Sequence, residues 1–375
     1  MKTTYLPSYR QLYIAILLLL TVACKKGKTT IQERSFYMGV TPWSADFTVA
    51  DVDTSYSFIN NYCDIISNHF DEGIPYEEAV KNAAAPIALQ DDINYRLLKT
   101  STSKKVFLSV SALNLTRKEK SDYYSKSIVT DSIKNYWKQL DFDHPKIITA
   151  YINYISWLID AFKPIYINFG VESNNPLWDA TAFLHYTNFI SNVYSQLKVK
   201  YPGIPLMVSF MVDENAGSLT NAKKLLPYTD FIALSAYPYV TVSSSASGNT
   251  NPDLFPPVLF ENFIQLDASK PLAFAETGYI AEPLNIPAYS LQKDGKEEWQ
   301  DSYLKKVLEL CQSYKAKFLI WFCSKDYDAA VVRMKQLGIY QDLFGFWKDT
   351  GLKDENGRER KAMRRWVEWV GKRRA

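Results

Sequence analysis

The chain has 375 residues, of which 47% are hydrophobic, 15% aromatic and 22% charged, and its formal net charge is +3. This composition excludes an intrinsically disordered or low-complexity protein, and the near balance of charges argues against a dedicated nucleic-acid binder. Four cysteines are too few for a disulfide scaffold. The length suits one large barrel or two small domains.

Residues 1–23 have the pattern of an export signal. Two basic residues precede the apolar segment Leu12–Ala23, which at about 1.5 Å per residue is too short for the roughly 30 Å hydrocarbon core of a bilayer. The segment ends in LTVAC, which resembles the lipobox of bacterial lipoproteins. We therefore expect acylation of Cys24, a polar tether over residues 24–34, and an exported protein that is lipid-anchored at the bacterial cell envelope, at the outer membrane or periplasmic face. An uncleaved membrane anchor is the alternative.

The remainder of the chain, residues 35–375, alternates short apolar runs with longer helix-like stretches. Each run is apolar almost without alternation, which is typical of a strand buried on both faces of a parallel sheet. The helical pattern is clearest in Ile147–Phe162, Ala180–Tyr201 and Glu297–Tyr314. The eight predicted strands are Ser35–Val40, Asp64–Ser67, Lys105–Ser111, Pro164–Gly170, Pro205–Phe210, Asp230–Ser235, Pro271–Ala275 and Lys317–Phe322.

Eight such strands alternating with helices predict an α/β fold, a single-domain (β/α)8 TIM barrel. The rival fold is an open, doubly wound sheet. It is disfavoured because neither GxGxxG nor GxxxxGK[ST] follows the first strand, and these loops hold phosphate in many proteins of that class. No internal repeat or long linker divides residues 35–375, so one domain is predicted there.

In such a barrel the catalytic side chains lie at the carboxyl ends of the strands. Glu172 and Glu276 directly follow predicted strands four and seven, which lie across the barrel mouth, so we expect their side chains to converge. A retaining glycosidase needs two carboxyls about 5–5.5 Å apart, and a partly buried position can hold them in different protonation states. The remaining candidates, for substrate binding, lie at the carboxyl ends of strands or directly after them: Trp43, Asn68, His69, Asn174, Tyr237, Trp321 and Asp326.

Four segments of the chain resemble the clan of retaining glycoside hydrolases that place the acid/base on strand four of this barrel and the nucleophile on strand seven. They are YINFGVES, LSAYPY, PLAFAETGY and FGFWKDTGLKDENGRERKA, and they are most similar to the endo-β-1,4-galactanase and cellulase or mannanase-like families. The resemblance implies that Glu172 protonates the leaving oxygen and later activates water, and that Glu276 attacks the anomeric carbon. It further implies that Tyr237 hydrogen-bonds Glu276 and keeps it ionised, and that Trp321 floors the −1 subsite.

The chain departs from this family pattern in two places. Val171 stands where the clan usually has an asparagine that contacts the sugar 2-hydroxyl, and hydrogen bonds to that group contribute several kcal/mol in the transition state. Asn174 or Asn68 could replace this donor. No arginine near strand two supports the nucleophile, and His69 could take that role.

The sequence thus predicts a retaining glycoside hydrolase that cleaves a β-linked poly- or oligosaccharide by double displacement. This chemistry requires neither a metal nor an organic cofactor, and we expect no nucleic-acid partner. The alternative is a non-catalytic carbohydrate-binding lipoprotein on a degenerate glycosidase barrel. Val171 favours that alternative, whereas the presence of both Glu172 and Glu276 opposes it. Strand-end acids also occur in structural ion pairs, and Trp43 and Trp321 are equally compatible with core packing.

Overall fold

A computed structural model describes residues 33–243 and 247–375, and Arg34–Ala375 form one compact unit. Eight strands in this unit close into a barrel in which every strand pairs in parallel with its neighbours in sequence, and the last pairs with the first. The predicted (β/α)8 fold is therefore confirmed. The strands are β1 (Tyr37–Val40), β2 (Ile65–Phe70), β3 (Lys105–Val110), β4 (Tyr166–Gly170), β5 (Leu206–Met211), β6 (Ile232–Ala236), β7 (Leu272–Thr277) and β8 (Phe318–Trp321).

Helices cover the outside of the barrel. They are α1 (Val49–Tyr62), α2 (Tyr76–Val80), α3 (Ile87–Lys99), α4 (Asp131–Gln139), α5 (Pro145–Phe162), α6 (Ala180–Lys200), α7 (Ala216–Leu225), α8 (Pro238–Thr241), α9 (Glu261–Ile264), α10 (Glu297–Ser313), α11 (Asp328–Gln336) and α12 (Lys361–Val370). Four 3-10 turns (Leu226–Tyr228, Pro252–Leu254, Pro287–Tyr289, Asp342–Trp347) and four short strands (Glu33–Arg34, Leu284–Ile286, Leu291–Lys293, Arg373–Arg374) complete the described elements.

Helix α5 shows how local sequence specifies these elements. Pro145 occupies the first helical position, where its missing N–H is not needed, and the ring of His144 accepts a hydrogen bond from the Lys146 amide. Eleven of the 18 residues of α5 are buried, so the helix is packed into the molecule along most of its surface. Each fully buried aliphatic side chain contributes about 1.5–3 kcal/mol. The helix ends at Lys163, whose φ of 47° is left-handed.

The barrel interior and the layer between strands and helices form two separate apolar cores. The interior core consists of alternate residues in the strands or directly before them: Ile65, Phe107, Met207, Phe231, Ala233, Ala273, Ala275, Phe318 and Ile320. Towards the carboxyl ends of the strands, the next inward positions are small and polar and include Ser109, Asn168, Ser209 and Ser235. The interior therefore changes from apolar to hydrogen-bonding just below the barrel mouth.

Two strands carry bulges immediately below the mouth. In β4, Asn168 and Gly170 pair with consecutive residues of β5, so one extra residue is accommodated between them. In β7, Phe274 and Glu276 likewise pair with consecutive residues of β6. A bulge re-aims the side chains that follow it. As a result Ala275 belongs to the interior core and its neighbour Glu276 also reaches the mouth.

The amino ends of the strands form the opposite face of the barrel, and both ends of the compact unit meet there. The amide of Ala375 donates to the carbonyl of Arg34 at 2.9 Å. The Arg34 side chain, which we had assigned to the tether, is buried and pairs with Asp64 at 2.7 Å. The predicted signal segment and Cys24 lie outside the described residues. Within the described ranges, no helix combines the length and apolarity needed to cross a bilayer.

Candidate active site

A cleft of about 340 Å³ opens at the carboxyl ends of the strands, within the range of small-ligand sites, about 300–1,000 Å³. Its ionisable side chains, tyrosines aside, are His69, Asp71, Glu72, Asp92, Arg96, Arg117, Glu172 and Glu276. Its aromatic side chains are Trp43, Tyr56, Phe70, Tyr95, Tyr124, Tyr154, Phe322, Tyr327, Phe344 and Trp347. Flat rings combined with hydrogen-bonding groups suit a ligand that has both C–H faces and hydroxyls.

Glu172 follows β4 in a left-handed backbone conformation, with φ of 49°. This conformation costs a non-glycine residue about 1–2 kcal/mol, and the bond from the Glu172 amide to Ser209 Oγ, 2.9 Å long, helps to hold it. The carboxylate accepts from Ser235 Oγ at 2.6 Å and pairs with Arg117 at 2.8 Å. Burial alone would raise the pKa of Glu172, but the charge of Arg117 and the Ser235 hydrogen bond outweigh it and lower this pKa below 4.5. The surroundings therefore favour the anionic form of Glu172.

Glu276 lies in β7, and its Oε1 accepts a hydrogen bond from the Tyr237 hydroxyl at 2.6 Å. Burial raises the pKa of Glu276 above 4.5, and the negative charge of Glu172 adds to this effect. Attraction to His69 and the bond from Tyr237 offset the rise only in part. The two carboxyls thus occupy environments that shift their pKa values in opposite directions, an arrangement that allows one to hold a proton while the other is charged.

His69 lines the cleft from β2. Its Nδ1 lies 3.1 Å from Ser109 Oγ and its Nε2 lies 3.3 Å from the Asp71 carboxylate. Burial alone would lower the pKa of His69, but the charges of Asp71 and Glu276 outweigh it and raise this pKa above 6.5. Arg96, on α3, donates to the His69 carbonyl at 3.0 Å and so holds the end of β2 in place.

A chain of hydrogen bonds beneath the cleft connects these groups. The Asn168 amide donates to Ser209 Oγ at 3.0 Å and to Ser109 Oγ at 3.4 Å. Ser109 contacts His69, and Ser209 accepts from the Glu172 amide. Asn168, Ser109 and Ser209 are almost completely buried. A buried hydrogen-bond network whose members are paired in this way fixes the groups that it contacts. Asn168 is therefore the centre of the scaffold that positions His69 and Glu172.

Trp43 and His69 are the predicted substrate-binding residues that line the cleft, and Tyr237 reaches it by contacting Glu276. The ring of Trp43 lies 5.5 Å from that of Phe322. Within the described ranges, the Trp43 indole N–H and the Thr41 hydroxyl, both at the cleft, have no hydrogen-bond partner. Buried polar groups are normally paired, so these two buried atoms are exceptions beside the cleft.

Two of the predicted binding residues, Trp321 and Asn68, are wrong because of strand alternation. Trp321 follows the inward Ile320 on β8, so its side chain faces the helix layer and its Nε1 donates to the Thr350 carbonyl at 2.9 Å. Phe322, the next residue, lines the cleft instead. Because β2 extends to Phe70, Asn68 alternates with the inward His69 and is completely buried away from the cleft lining.

Asp326 and Asn174 are held inside the protein by other partners. Asp326 is buried, pairs with Arg360 and accepts from the Gly351 amide at 2.7 Å. Burial raises the pKa of Asp326 to about 8, although Arg360 opposes the shift. Asn174 is completely buried and exchanges hydrogen bonds of 2.7 and 3.0 Å with the backbone of Met211. Neither residue lines the cleft, so their predicted contacts with substrate are corrected to structural ones.

Sequence reasoning missed Arg117 and Arg96, the two arginines of the cleft. Arg117 lies 55 residues before its partner Glu172, in the segment between β3 and α4, and Arg96 lies on a helix. No local pattern links an arginine to a carboxylate at such a distance. The one available signal was position, because Arg117 lies in a segment that follows the carboxyl end of a strand.

In the part of the chain that the structure describes, two groups of carboxylates come close enough together to hold a metal ion, and both lie outside the cleft: Glu282, Asp326 and Glu355, and Asp326, Asp328 and Asp349. Arg360 pairs with two members of the first group, and Lys348 with two members of the second. The protein itself therefore compensates much of this negative charge, and the groups are explained as an ion-pair network.

Replacing Arg117 with methionine is expected to destabilise the protein by about 2–3 kcal/mol at pH 7, because it leaves the mostly buried carboxylate of Glu172 without its counter-charge. The folded pKa of Glu172 is lowered, so this stabilisation is present above pH 4.5 and is lost as the pH falls through the folded pKa. Urea unfolding at pH 7 and at about pH 3.5 should show a smaller difference at the lower pH.

The matched control for this prediction is Arg333→Met. Arg333 also contacts a carboxylate, that of Asp46 at 2.7 Å, but its side chain is 43% exposed. Its loss should therefore cost no more than about 1 kcal/mol. Equal losses in the two variants, or a loss in Arg117→Met that does not change with pH, would contradict the predicted role of Arg117.

The fold and cleft define a (β/α)8 barrel with glutamates at the ends of β4 and β7. No known protein family and no curated protein matches the sequence. Among solved structures, the chain is similar to an exo-β-1,4-mannosidase from Opitutaceae bacterium strain TAV5, with a TM-score of 0.60 and 14% identity over 92% of this chain. The match covers only 61% of the mannosidase, less than two thirds of its length.

Two further structures are similar over more of their own length. A GH5_18 protein from Bifidobacterium longum subsp. infantis has a TM-score of 0.62 and 14% identity, with 91% of this chain and 80% of that chain covered. A GH5_18 protein from Streptomyces cattleya, in complex with Manβ1-4GlcNAc, has a TM-score of 0.60 and 11% identity, with 89% and 80% covered. These likenesses show that the chain shares its barrel fold with glycoside hydrolases.

Proposed function

We propose that this protein is a retaining glycoside hydrolase that cleaves a β-linked poly- or oligosaccharide by double displacement at Glu172 and Glu276. One observation carries the proposal. Carboxyls from β4 and β7 share one aromatic-lined cleft at the barrel mouth. Glycosidic bond hydrolysis requires a pair of carboxyls that flank the scissile bond.

In the proposed mechanism Glu276 attacks the anomeric carbon, and the Tyr237 hydroxyl, 2.6 Å from its carboxyl, stabilises the charged form of this nucleophile. Glu172 donates its proton to the leaving oxygen and then takes a proton from the attacking water. Both pKa shifts of the unliganded site oppose these roles: the Arg117 guanidinium favours the Glu172 anion, and burial raises the pKa of Glu276 and favours its neutral form. Entry of the sugar must therefore weaken the contact between Arg117 and Glu172.

Sugar hydroxyls would be bound by groups other than the asparagine that the family pattern places before the acid/base. Val171 is buried, and neither Asn174 nor Asn68 lines the cleft. Polar side chains that line the cleft and could serve this purpose include His69, Asp71, Asp92 and Arg96. The rings of Phe322 and Trp347 would offer apolar faces to sugar C–H groups.

A second candidate function is carbohydrate binding without catalysis. The ion pair between Arg117 and Glu172 favours it, since a permanently paired Glu172 could not act as an acid. The raised pKa of Glu276 opposes it, because burial of a carboxyl in this manner is costly and is typical of active sites.

Purified protein incubated with a panel of β-linked glycans tests the proposal. The structural neighbours include a β-1,4-mannosidase and a complex with Manβ1-4GlcNAc, so β-mannosides enter the panel first, beside β-galactans and β-glucans. Release of reducing sugar with a β-configured first product, observed by NMR, is the expected result. A first product in the α configuration would contradict retention, and binding without cleavage of any member would favour the second candidate.

We further propose that the protein is lipid-anchored through Cys24 at the bacterial cell envelope. The support is the apolar segment Leu12–Ala23 followed directly by this cysteine. Cys24→Ser should move the protein from the membrane fraction to the soluble fraction of envelope preparations. Retention of the variant in the membrane fraction would point to an uncleaved anchor.

A further inference from the structure

We infer that the face formed by the amino ends of the barrel strands rests on an anionic lipid surface, so that the cleft opens away from the membrane. The inference does not depend on glycosidase activity. It rests on a set of exposed cations, on the place where the described chain begins, and on the distribution of carboxylates between the two ends of the barrel.

Five basic residues, which we call the basic face, lie at the amino ends of the strands: Lys105, Lys200, Lys315, Lys317 and Arg374. All are exposed. Lys105 begins β3 and Lys317 directly precedes β8. The guanidinium of Arg374 lies over the ring of Tyr37, the first residue of β1, at 3.7 Å. Lys200 ends α6 and Lys315 follows the end of α10, the helices that precede β5 and β8. The five cations therefore belong to one end of the barrel.

The basic face is not neutralised by the carboxylates around it. Asp64 pairs with Arg34 at 2.7 Å, and Asp230 pairs with Lys198 at 3.0 Å. Asp267 lies 3.8 Å from Lys270. No salt bridge in residues 33–243 and 247–375 involves a member of the basic face. These three acids thus have partners outside the basic face, and the five cations are left to attract an external anionic surface.

The cleft at the opposite end of the barrel is lined by more carboxylates than cations. The cleft is lined by five carboxylates against two arginines and one histidine: Asp71, Glu72, Asp92, Glu172, Glu276, Arg96, Arg117 and His69. An anionic surface would attract the basic face and repel this end. Because the separation is built into a rigid barrel, attraction at one end fixes the direction in which the cleft opens.

The path of the chain selects a lipid surface rather than another polyanion. The compact unit begins at Arg34, whose carbonyl and side chain are both bound at the end of the barrel that carries the basic face. The preceding residues 25–32, KKGKTTIQ, add three lysines next to the proposed lipidation site. A lipid on Cys24, ten residues before Arg34 in the sequence, would keep the barrel close to the membrane. Each basic residue near an anionic leaflet adds to binding within about one Debye length.

The test compares three full-length proteins, all carrying Cys24→Ser to remove the lipid. The first has no further change, the second carries Lys105→Glu, Lys315→Glu and Lys317→Glu, and the third is a matched control. The control carries Lys126→Glu, Lys134→Glu and Lys138→Glu, three exposed lysines between β3 and the end of α4. Partitioning is measured on neutral phosphatidylcholine vesicles and on vesicles with about one third phosphatidylglycerol, at low and high salt.

For each protein, the partition coefficient on anionic vesicles is divided by that on neutral vesicles. This ratio removes any contribution that the apolar segment Leu12–Ala23 makes equally on both. The unchanged protein and the control should prefer anionic vesicles at low salt and lose the preference at high salt. Reversal of three charges on the basic face should lower the ratio by on the order of a hundredfold. Equal thermal midpoints of the three proteins show that folding is not the cause.

Four results would overturn the inference. The protein without further changes could show no preference for anionic vesicles. The basic-face variant could bind anionic vesicles as tightly as that protein does. The control could lose as much as the basic-face variant, which would show that only net charge matters. In a parallel titration, binding of a DNA duplex as tightly as anionic vesicles, with the same dependence on the basic face, would replace the lipid surface by a nucleic acid.

Discussion

Glu276→Gln is expected to lower kcat for glycoside hydrolysis by about four to six orders of magnitude while the protein remains folded. Loss of a covalent nucleophile has effects of this size in enzymes whose catalytic residues act as a unit. Glutamine keeps the shape of the side chain and an oxygen that can accept from Tyr237, whose hydroxyl lies 2.6 Å from Glu276 Oε1. The measurement is the initial rate on whichever glycan the wild-type protein cleaves.

We expect the same substitution to raise the stability of the protein although it lowers the rate. The folded pKa of Glu276 is raised by burial and by Glu172, so the ionised form opposes folding at pH values above the folded pKa. Glu276→Gln should therefore be at least as stable as wild type at pH 7, and this advantage should vanish as the pH falls below 4.5, the ordinary pKa of the side chain. A gain in stability with a loss of rate is characteristic of active-site residues.

Glu72→Gln is the matched control for Glu276→Gln. Glu72 also lines the cleft, but it is about half exposed and pairs with Lys126 at 2.7 Å. Its rate should change only severalfold. If Glu276→Gln kept a rate within tenfold of wild type, Glu276 would not be the nucleophile.

Glu172→Ala should lower kcat/KM by about 10²–10⁴ for substrates with poor leaving groups and far less for activated aryl glycosides. General acid catalysis contributes a factor of this size, but an activated phenolate leaves without a proton. With aryl glycosides the second step becomes limiting, and azide, which needs no general base, should restore the rate. Alanine tolerates the left-handed backbone at this position about as well as glutamate does, so the loss should not reflect strain.

Rates on a series of aryl glycosides, with Glu214→Ala as the exposed control acid, decide the role of Glu172. Equal losses on all substrates would remove it as the acid. If instead the rate loss of the Glu276 variant depended on the leaving group, Glu276 would be the acid and Glu172 the nucleophile. The contact of Arg117 with Glu172 makes this comparison informative, because it favours the charge on the residue that must first donate a proton.

The apolar runs of the sequence were sufficient to predict the barrel. Strands buried on both faces of a parallel sheet are apolar along their whole length, and all eight predicted runs overlap a barrel strand. The positions of Glu172 and Glu276 at the ends of β4 and β7 followed from the same pattern. Both lie at the cleft, since the carboxyl ends of all the strands of a parallel barrel meet at one mouth.

The direction of individual side chains required the tertiary structure. A difference of one residue in where a strand ends reverses inside and outside, which is why His69 lines the cleft and Asn68 does not, and why Phe322 lines it in place of Trp321. The bulge in β7 brings Glu276 to the level of Ser235 on the neighbouring strand. No local sequence pattern predicts this bulge.

By itself, then, the sequence determined the fold class and the two strands that carry the carboxyls, because burial on both faces of a strand is a local property that composition and order reveal. Only the tertiary structure decided the electrostatics of the site. Arg117 meets Glu172 across 55 residues of chain, and the opposite pKa shifts of Glu172 and Glu276 depend on burial and on charges from several different strands and loops. Such contacts exist only once the barrel has closed and its loops have packed over the mouth.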